Sequence, residues 1–161
     1  ITIRMKPNIG ISEKHLKVTV KALSHLLANE MTLYIKTRKS HWNVTGDSFM
    51  ELHKLYEGQY KQLEEMVDEV AERISKLGEK TIGTMHEYLK LSSIKESPDK
   101  YASSKDILKE LLADHETLAR EIRKTIDVCA NETKDAASAD FLTGLLEKHE
   151  STAWIIRTYL N

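Results

Sequence analysis

The chain has 161 residues, of which 40% are hydrophobic, 30% are charged and 6% are aromatic. This length fits one domain with a substantial buried core, and 24 basic against 25 acidic residues give no overall attraction to nucleic acid. The low content of two prolines and six glycines excludes collagen-like and Pro/Gly-rich disordered chains. A single cysteine excludes a disulfide framework and a cysteine-based zinc site. The longest apolar run has four residues, which predicts no membrane span.

Apolar residues recur three or four positions apart along four segments, which is the spacing of one face of an α-helix. In the first segment these residues are Leu16, Val20, Leu23, Leu27, Met31 and Tyr34. Abundant Leu, Glu and Lys also favour helix over strand. We predict long helices over 13–41, 48–77, 104–131 and 138–160, and a short helix over 84–91.

Residues that commonly cap helices stand at the predicted ends. The N-terminal candidates, in chain order, are Ser12, Ser48, Thr84, Ser103 and either Asp135 or Ser138. Ser48 and Thr84 are each followed three residues later by a glutamate, which is the pattern of a capping box. Gly78 stands where the second long helix is expected to stop.

The lengths of the connections predict the topology. The first and second long helices are joined by a short connection, as are the third and fourth, so each pair is expected to run antiparallel. The segment 78–103, about 26 residues long, is too long for a bundle turn and can cross the length of the bundle. We therefore predict that residues 1–161 form one all-α domain, a ferritin-like four-helix bundle whose long crossover carries the short helix.

Glu-x-x-His, the usual di-iron motif of such bundles, is absent from the sequence. The second helix offers a different set: His53, Glu57, Asp68 and Glu72 fall within about 100° of one another around a regular helix. Asp68 and Glu72 are four residues apart and could share a metal ion. A solvated helix face is the ordinary alternative for such residues.

No single metal ion can contact both ends of this set within one straight helix. His53 and Asp68 are 15 residues apart, which corresponds to roughly 22 Å along the axis. An antiparallel copy of the same helix from a second subunit would place His53 opposite Asp68 and Glu72, with two equivalent sites at each twofold interface. His41 could join His53 from its own subunit. Imidazole and carboxylate ligands suit iron(II), although zinc and manganese accept similar sets.

The sequence closely resembles the Dps family, the DNA-protection-during-starvation ferritins. The resemblance rests on 39–46 (Lys-Ser-His-Trp-Asn-Val-Thr-Gly), His53, 67–74 (Val-Asp-Glu-Val-Ala-Glu-Arg-Ile), 87–91 (Glu-Tyr-Leu-Lys-Leu) and 139–143 (Ala-Asp-Phe-Leu-Thr). It covers nearly the whole chain, and the combined pattern is highly specific.

The resemblance implies a ferroxidase centre between subunits. Its metal-binding and catalytic ligands would be His41, His53, Asp68 and Glu72. Glu57 falls on a further acidic position of the metal site, where family members often carry Asp. Trp42 would lie beside the centre and could intercept oxidising radicals; an aromatic anchor at a helix end is the alternative.

The resemblance also implies a biological role. Family members form hollow dodecamers in the cytoplasm, oxidise iron(II) with hydrogen peroxide or dioxygen, preferably peroxide, and store the ferric mineral, which protects against oxidative damage. Acidic pores on threefold axes admit the iron. Asp140 and, secondarily, Asp135 would line such a pore, and helix capping is the alternative for both.

Two rival functions remain open at this stage. A nucleoid-associated, DNA-compacting protein with secondary ferroxidase activity would need a basic surface or tail. Only a few basic residues stand near the N-terminus: Arg4, Lys6, Lys14 and Lys17. An interaction protein with an inactive metal site would need a broken ligand set, and none of the ligands is broken. His115 and His149 lie on apolar stripes and are expected to be buried histidines with a hydrogen-bond partner rather than a second metal pair.

Overall fold

The computed structural model describes residues 5–161, and within them every regular element is a helix. Arg4, one of the basic residues considered for DNA contact, lies outside the described residues. The elements are α1 (Glu13–Asn43), α2 (Phe49–Lys76), α3 (Met85–Leu91), α4 (Ser104–Asp127), a π-helical turn (Val128–Glu132) and α5 (Ala136–Leu160). The prediction of an all-α fold is confirmed. No helix in the described part is long and apolar enough to cross a membrane.

The four long helices form a bundle in which α1 packs on α2 and α4 packs on α5. The pairs run antiparallel: Tyr34 contacts Tyr60, whereas His41, further along α1, contacts the earlier residue His53. Ion pairs Glu116–Arg157 and Arg123–Glu150 give the same direction for α4 and α5.

The segment that contains α3 crosses the bundle. Lys36 on α1 forms an ion pair with Glu110 on α4, and Asn29 donates to Glu121, so α1 and α4 are antiparallel and α4 runs parallel to α2. Asn29 also accepts a hydrogen bond from the backbone N–H of Ser93 at 2.7 Å, which fixes the crossover against α1.

The caps of the helices agree with the sequence in four places and differ in one. At the start of four helices, the predicted capping side chain accepts a backbone hydrogen bond: Ser12 at α1, Thr84 at α3, Ser103 at α4 and Asp135 at α5. Thr84 and Glu87 form the expected capping box, and Asp135 rather than Ser138 caps α5. The capping box expected at Ser48 is wrong: at φ −94° and ψ 21° its backbone is not extended, and its side chain makes no capping hydrogen bond.

The helix expected over 104–131 changes form before it ends. Its α-helical part stops at Asp127, and the backbone N–H of Thr133 bonds to the carbonyl of Val128, five residues earlier, at 3.0 Å. The Thr133 hydroxyl contacts that of Thr19 at 3.2 Å within the core. This turn brings Asp135 to the start of α5.

Candidate functional site

His41 and His53 meet where α1 ends and α2 begins. Nδ1 of His41 lies 2.7 Å from the carbonyl oxygen of His53, and Nδ1 of His53 lies 2.9 Å from the carbonyl oxygen of His41. Because a carbonyl only accepts, both Nδ1 atoms must carry the proton. In the neutral rings, both Nε2 atoms therefore keep a free lone pair, which is the form that binds metal.

The chain between the two helices and the surrounding rings hold this pair. Gly46 adopts φ +103°, which lets the chain reverse within a few residues. The imidazole rings stack with centroids 3.7 Å apart. The Phe49 ring lies 5.0 Å from that of His53, and the Tyr60 ring lies edge-on 5.2 Å from that of His41. The two imidazoles are thus clamped between aromatic side chains.

Glu57 lies one helical turn after His53 and is half-buried. Lys61 donates to its carboxylate at 2.6 Å. This hydrogen bond, together with the charge of Lys61, lowers the pKa of Glu57 below its ordinary value. The carboxylate is therefore ionised at neutral pH and available beside the histidine pair.

Asp68 and Glu72 are exposed on the second half of α2. Lys76 forms an ion pair with Glu72 at 3.4 Å. Since α2 is one continuous helix from Phe49 to Lys76, about 22 Å of helix separates Asp68 from His53. One subunit thus forms a histidine pair at the junction of α1 and α2 and a carboxylate pair on the second half of α2, far apart. Within residues 5–161, no group of three or more His, Cys, Asp or Glu side chains is arranged to hold a metal ion.

An open groove of about 460 Å³ runs between α2 and α5. Glu72 and Glu69 line it from α2, while Asp140 and Lys148 line it from α5. Asp140 is exposed, and it shares this groove with one of the predicted metal ligands.

Asp135, the secondary candidate for the pore lining, is buried within its own subunit. This residue is only 1% exposed, and Arg73 donates to its carboxylate at 3.1 Å. The backbone N–H and the hydroxyl of Ser138 donate to the same carboxylate at 3.0 and 2.6 Å. Its oxygens are thus committed to an ion pair and a helix cap within the subunit.

Trp42 is 64% exposed beside His41, and the Arg38 guanidinium lies 5.1 Å from its ring. The same guanidinium lies over Tyr60 at 4.3 Å and over Tyr34 at 5.7 Å. The sequence analysis did not predict this cluster. Its signal was the spacing of Tyr34, Arg38 and Trp42, which stand four residues apart on α1, with Trp42 next to His41.

The centre of the bundle holds a second polar group that includes His115 and His149. Their Nδ1 atoms are 2.9 Å apart, and Nε2 of His149 lies 2.7 Å from a carboxylate oxygen of Glu30. All three side chains are at most 2% exposed. The expectation of buried, hydrogen-bonded histidines is confirmed; the participation of Glu30 was not predicted.

Comparisons with known proteins agree with this architecture. A family model of the ferritin-like domain matches residues 20–161. A low temperature-induced protein of Nostoc sp. is 39% identical over 153 residues, which cover 95% of this chain and 86% of that protein. The DNA protection during starvation protein 2 of Bacillus anthracis is 32% identical over 146 residues, covering 90% of this chain and 98% of the relative.

The fold likeness extends over the whole bundle. The crystal structure of the DPS protein of Vibrio cholerae, described as a member of a broad superfamily of ferritin-like diiron-carboxylate proteins, matches with a TM-score of 0.91 at 28% identity, covering 100% of this chain and 99% of the other. The prediction of a ferritin-like fold class is confirmed.

Proposed function

Because the chain belongs to the ferritin-like family and, within it, to the Dps proteins, we propose that it is a ferroxidase that oxidises iron(II) and stores the ferric product inside a hollow homododecamer. Hydrogen peroxide is the proposed preferred oxidant, with dioxygen as the alternative. The proposed location is the cytoplasm, where removing iron(II) and peroxide together limits hydroxyl-radical formation.

The reciprocal bonds of His41 and His53 carry the proposal. They fix both rings in the tautomer that presents Nε2, as backbone acceptors do in established metal sites. Iron(II) accepts such imidazole ligands together with carboxylates.

The spacing along α2 supports a site shared by two subunits. In an antiparallel pair of α2 helices, His41 and His53 of one subunit would face Asp68 and Glu72 of the other, and the interface would contain two such sites. Glu57 would supply a further carboxylate from the histidine side.

The chain's residues then have separate tasks. The free Nε2 atoms and the carboxylates bind iron(II) as substrate, and the negative charge of the carboxylates favours the ferric product. The balanced reaction is 2 Fe²⁺ + H₂O₂ + 2 H⁺ → 2 Fe³⁺ + 2 H₂O. Asp140, which is exposed and lines the groove that also contains Glu72, is proposed to attract the incoming cation at a pore.

DNA compaction receives less support from the described residues. Lys6 and Lys17, two of the basic side chains near the N-terminus, both form ion pairs with Glu13. These pairs reduce the positive charge available for phosphate contacts. DNA binding is therefore not part of the proposed function.

Purified protein mixed anaerobically with iron(II) and then with peroxide tests the proposal through the absorbance of the ferric product. His53→Ala should lose almost all of the initial rate because it removes a ligand. His86→Ala is the matched control, since His86 is exposed on α3. A wild-type rate in His53→Ala shells of normal size would overturn the proposal.

A further inference from the structure

The carboxylate of Glu57 already holds a cation of its own chain. Lys61 stands one helical turn further along α2, and its ammonium donates to an oxygen of Glu57 at 2.6 Å. Glu57 itself stands one turn after His53. An ammonium ion and a metal ion are both attracted by the charge of the carboxylate, so Lys61 and iron(II) compete for Glu57.

Another proposed carboxylate ligand has a similar but looser partner. Lys76 lies 3.4 Å from Glu72, and these two side chains are 64% and 61% exposed. The Glu57 side chain is only 40% exposed, and its ion pair is shorter by 0.8 Å than that of Glu72. Within residues 5–161, the strongest competition between a lysine and a metal ion is therefore expected at Glu57.

The position of Lys61 along α2 keeps its ammonium beside Glu57 in the assembled protein. Lys61 stands about midway between His53 and the exposed carboxylate pair of the same helix. The proposed antiparallel pairing of two α2 helices therefore places Lys61 at the twofold axis, next to its own copy. Repulsion between the two ammonium groups directs each of them away from the axis and toward Glu57. Contact between the helices also reduces the screening of this ion pair by solvent and salt.

The charge of the shared site explains what such a cation would do. Glu57 of one subunit and Asp68 and Glu72 of the other would bring three carboxylates together before iron(II) binds. Like charges at close range repel, and one ammonium per site offsets one of these negative charges. Iron(II) brings two positive charges, and the flexible four-carbon stem of lysine allows the ammonium to move aside.

We propose that Lys61 is a placeholder cation, which neutralises Glu57 in the metal-free protein and releases this carboxylate to the metal when iron(II) binds. Lys61 is thus a positioning residue: it does not contact the iron, but it sets how strongly the site binds it. This inference rests on the proposed function, which assigns Glu57 to the metal site.

Cobalt(II) is the probe for this competition, because it accepts imidazole and carboxylate ligands and its visible absorption reports their binding. In the assembled protein, the absorption bands that His53→Ala removes identify the site. Lys61→Gln should tighten cobalt binding at this site by about two- to fivefold, the range that corresponds to an exposed ion pair.

The matched control is Lys54→Gln, which removes the same charge from an exposed position of α2. Lys54 forms no ion pair with any residue of the described part, so its removal should change the affinity much less. A double-variant cycle shows whether Lys61 acts through Glu57. In a Glu57→Gln background, Lys61→Gln should have no larger effect than Lys54→Gln.

A crystal structure of the cobalt-loaded wild type gives a second readout that needs no variant. Glu57 should bind the metal, and the Lys61 ammonium should lie beyond about 4 Å from the carboxylate, the limit of an ion pair. A Lys61–Glu57 ion pair that persists beside a bound metal would overturn the placeholder role.

The outcomes separate this inference from the proposed function. A wild-type protein without cobalt bands that depend on His53 would overturn both. Cobalt binding with equal effects of Lys61→Gln and Lys54→Gln would overturn only the placeholder role. The same conclusion would follow if Lys61→Gln tightened cobalt binding equally with and without the Glu57 carboxylate.

Discussion

The polar group at the centre of the bundle shows how one side chain fixes the protonation of the next. With Glu30 as a carboxylate, Nε2 of His149 carries a proton and donates to it, and in a neutral His149 ring Nδ1 then accepts from Nδ1 of His115. Nε2 of His115 is then unprotonated and buried without a partner among the described residues. Burial lowers the pKa of His115 well below the ordinary value of 6.5, in keeping with this neutral state.

This depressed pKa predicts a loss of stability in acid. Below pH 6.5 the unfolded chain binds a proton at His115 that the folded chain does not, so the free energy of unfolding falls as the pH falls. One such proton changes it by about 1.4 kcal/mol per pH unit. Urea unfolding between pH 7 and pH 5 measures this slope, and His115→Gln, which keeps a donor but does not titrate, should lower it. Identical slopes would contradict the assignment.

The sequence identified the two histidines proposed to bind metal but not Glu30. His41 and His53 belong to a specific multi-residue pattern, whereas a single glutamate in a helix is ordinarily solvated. The available signal was its position: Leu27, Glu30 and Tyr34 continue the apolar spacing of α1, which places a carboxylate on the buried face. Its partners are distant in sequence, so their contact required the packed bundle.

At the scale of an element, the start of α5 depends on Asp135. Its carboxylate caps the helix and pairs with Arg73 of α2. Asp135→Ala should lower the free energy of unfolding by about 2–4 kcal/mol, because it removes a cap and leaves a partly buried guanidinium without its partner.

Asp140→Ala is the control for that measurement, since Asp140 is exposed on the same helix. Its change should remain within about 0.5 kcal/mol. Chemical denaturation followed by circular dichroism compares the two variants. Equal effects would show that Asp135 has no special role in holding α5.

Helix existence was easier to predict than helix ends. Apolar spacing specifies a buried face over many residues, whereas an end depends on a few local bonds. Ser48 has the right side chain for a cap but a backbone that does not direct it at the helix. The π-helical turn after Asp127 is followed by Thr133, which contacts Thr19, more than a hundred residues away in sequence.

At the scale of the whole molecule, delivery and oxidation of iron should be separable. Asp140→Asn should lower the initial oxidation rate at low iron concentration, where delivery is limiting, and high iron should largely restore it. Added salt should slow the wild type more than the variant, because screening weakens an attraction only where the charge is present.

The control for this prediction is Glu96→Gln, which removes an exposed charge on the crossover segment. It should leave the low-iron rate unchanged. If the oxidation rate of Asp140→Asn at low iron is unchanged, Asp140 has no role in iron delivery. A decrease in the oxidation rate that excess iron does not restore would indicate damage to the oxidation site itself.

We propose that two subunits complete each metal site, and shells that contain two different variants test this sharing. His53→Ala and Asp68→Ala shells should each be nearly inactive. At an interface with one subunit of each kind, one site carries both substitutions and the other carries neither. Shells reassembled from an equal mixture should therefore recover about a quarter of the wild-type rate. No recovery in shells shown by native mass spectrometry to contain both variants would contradict the shared site.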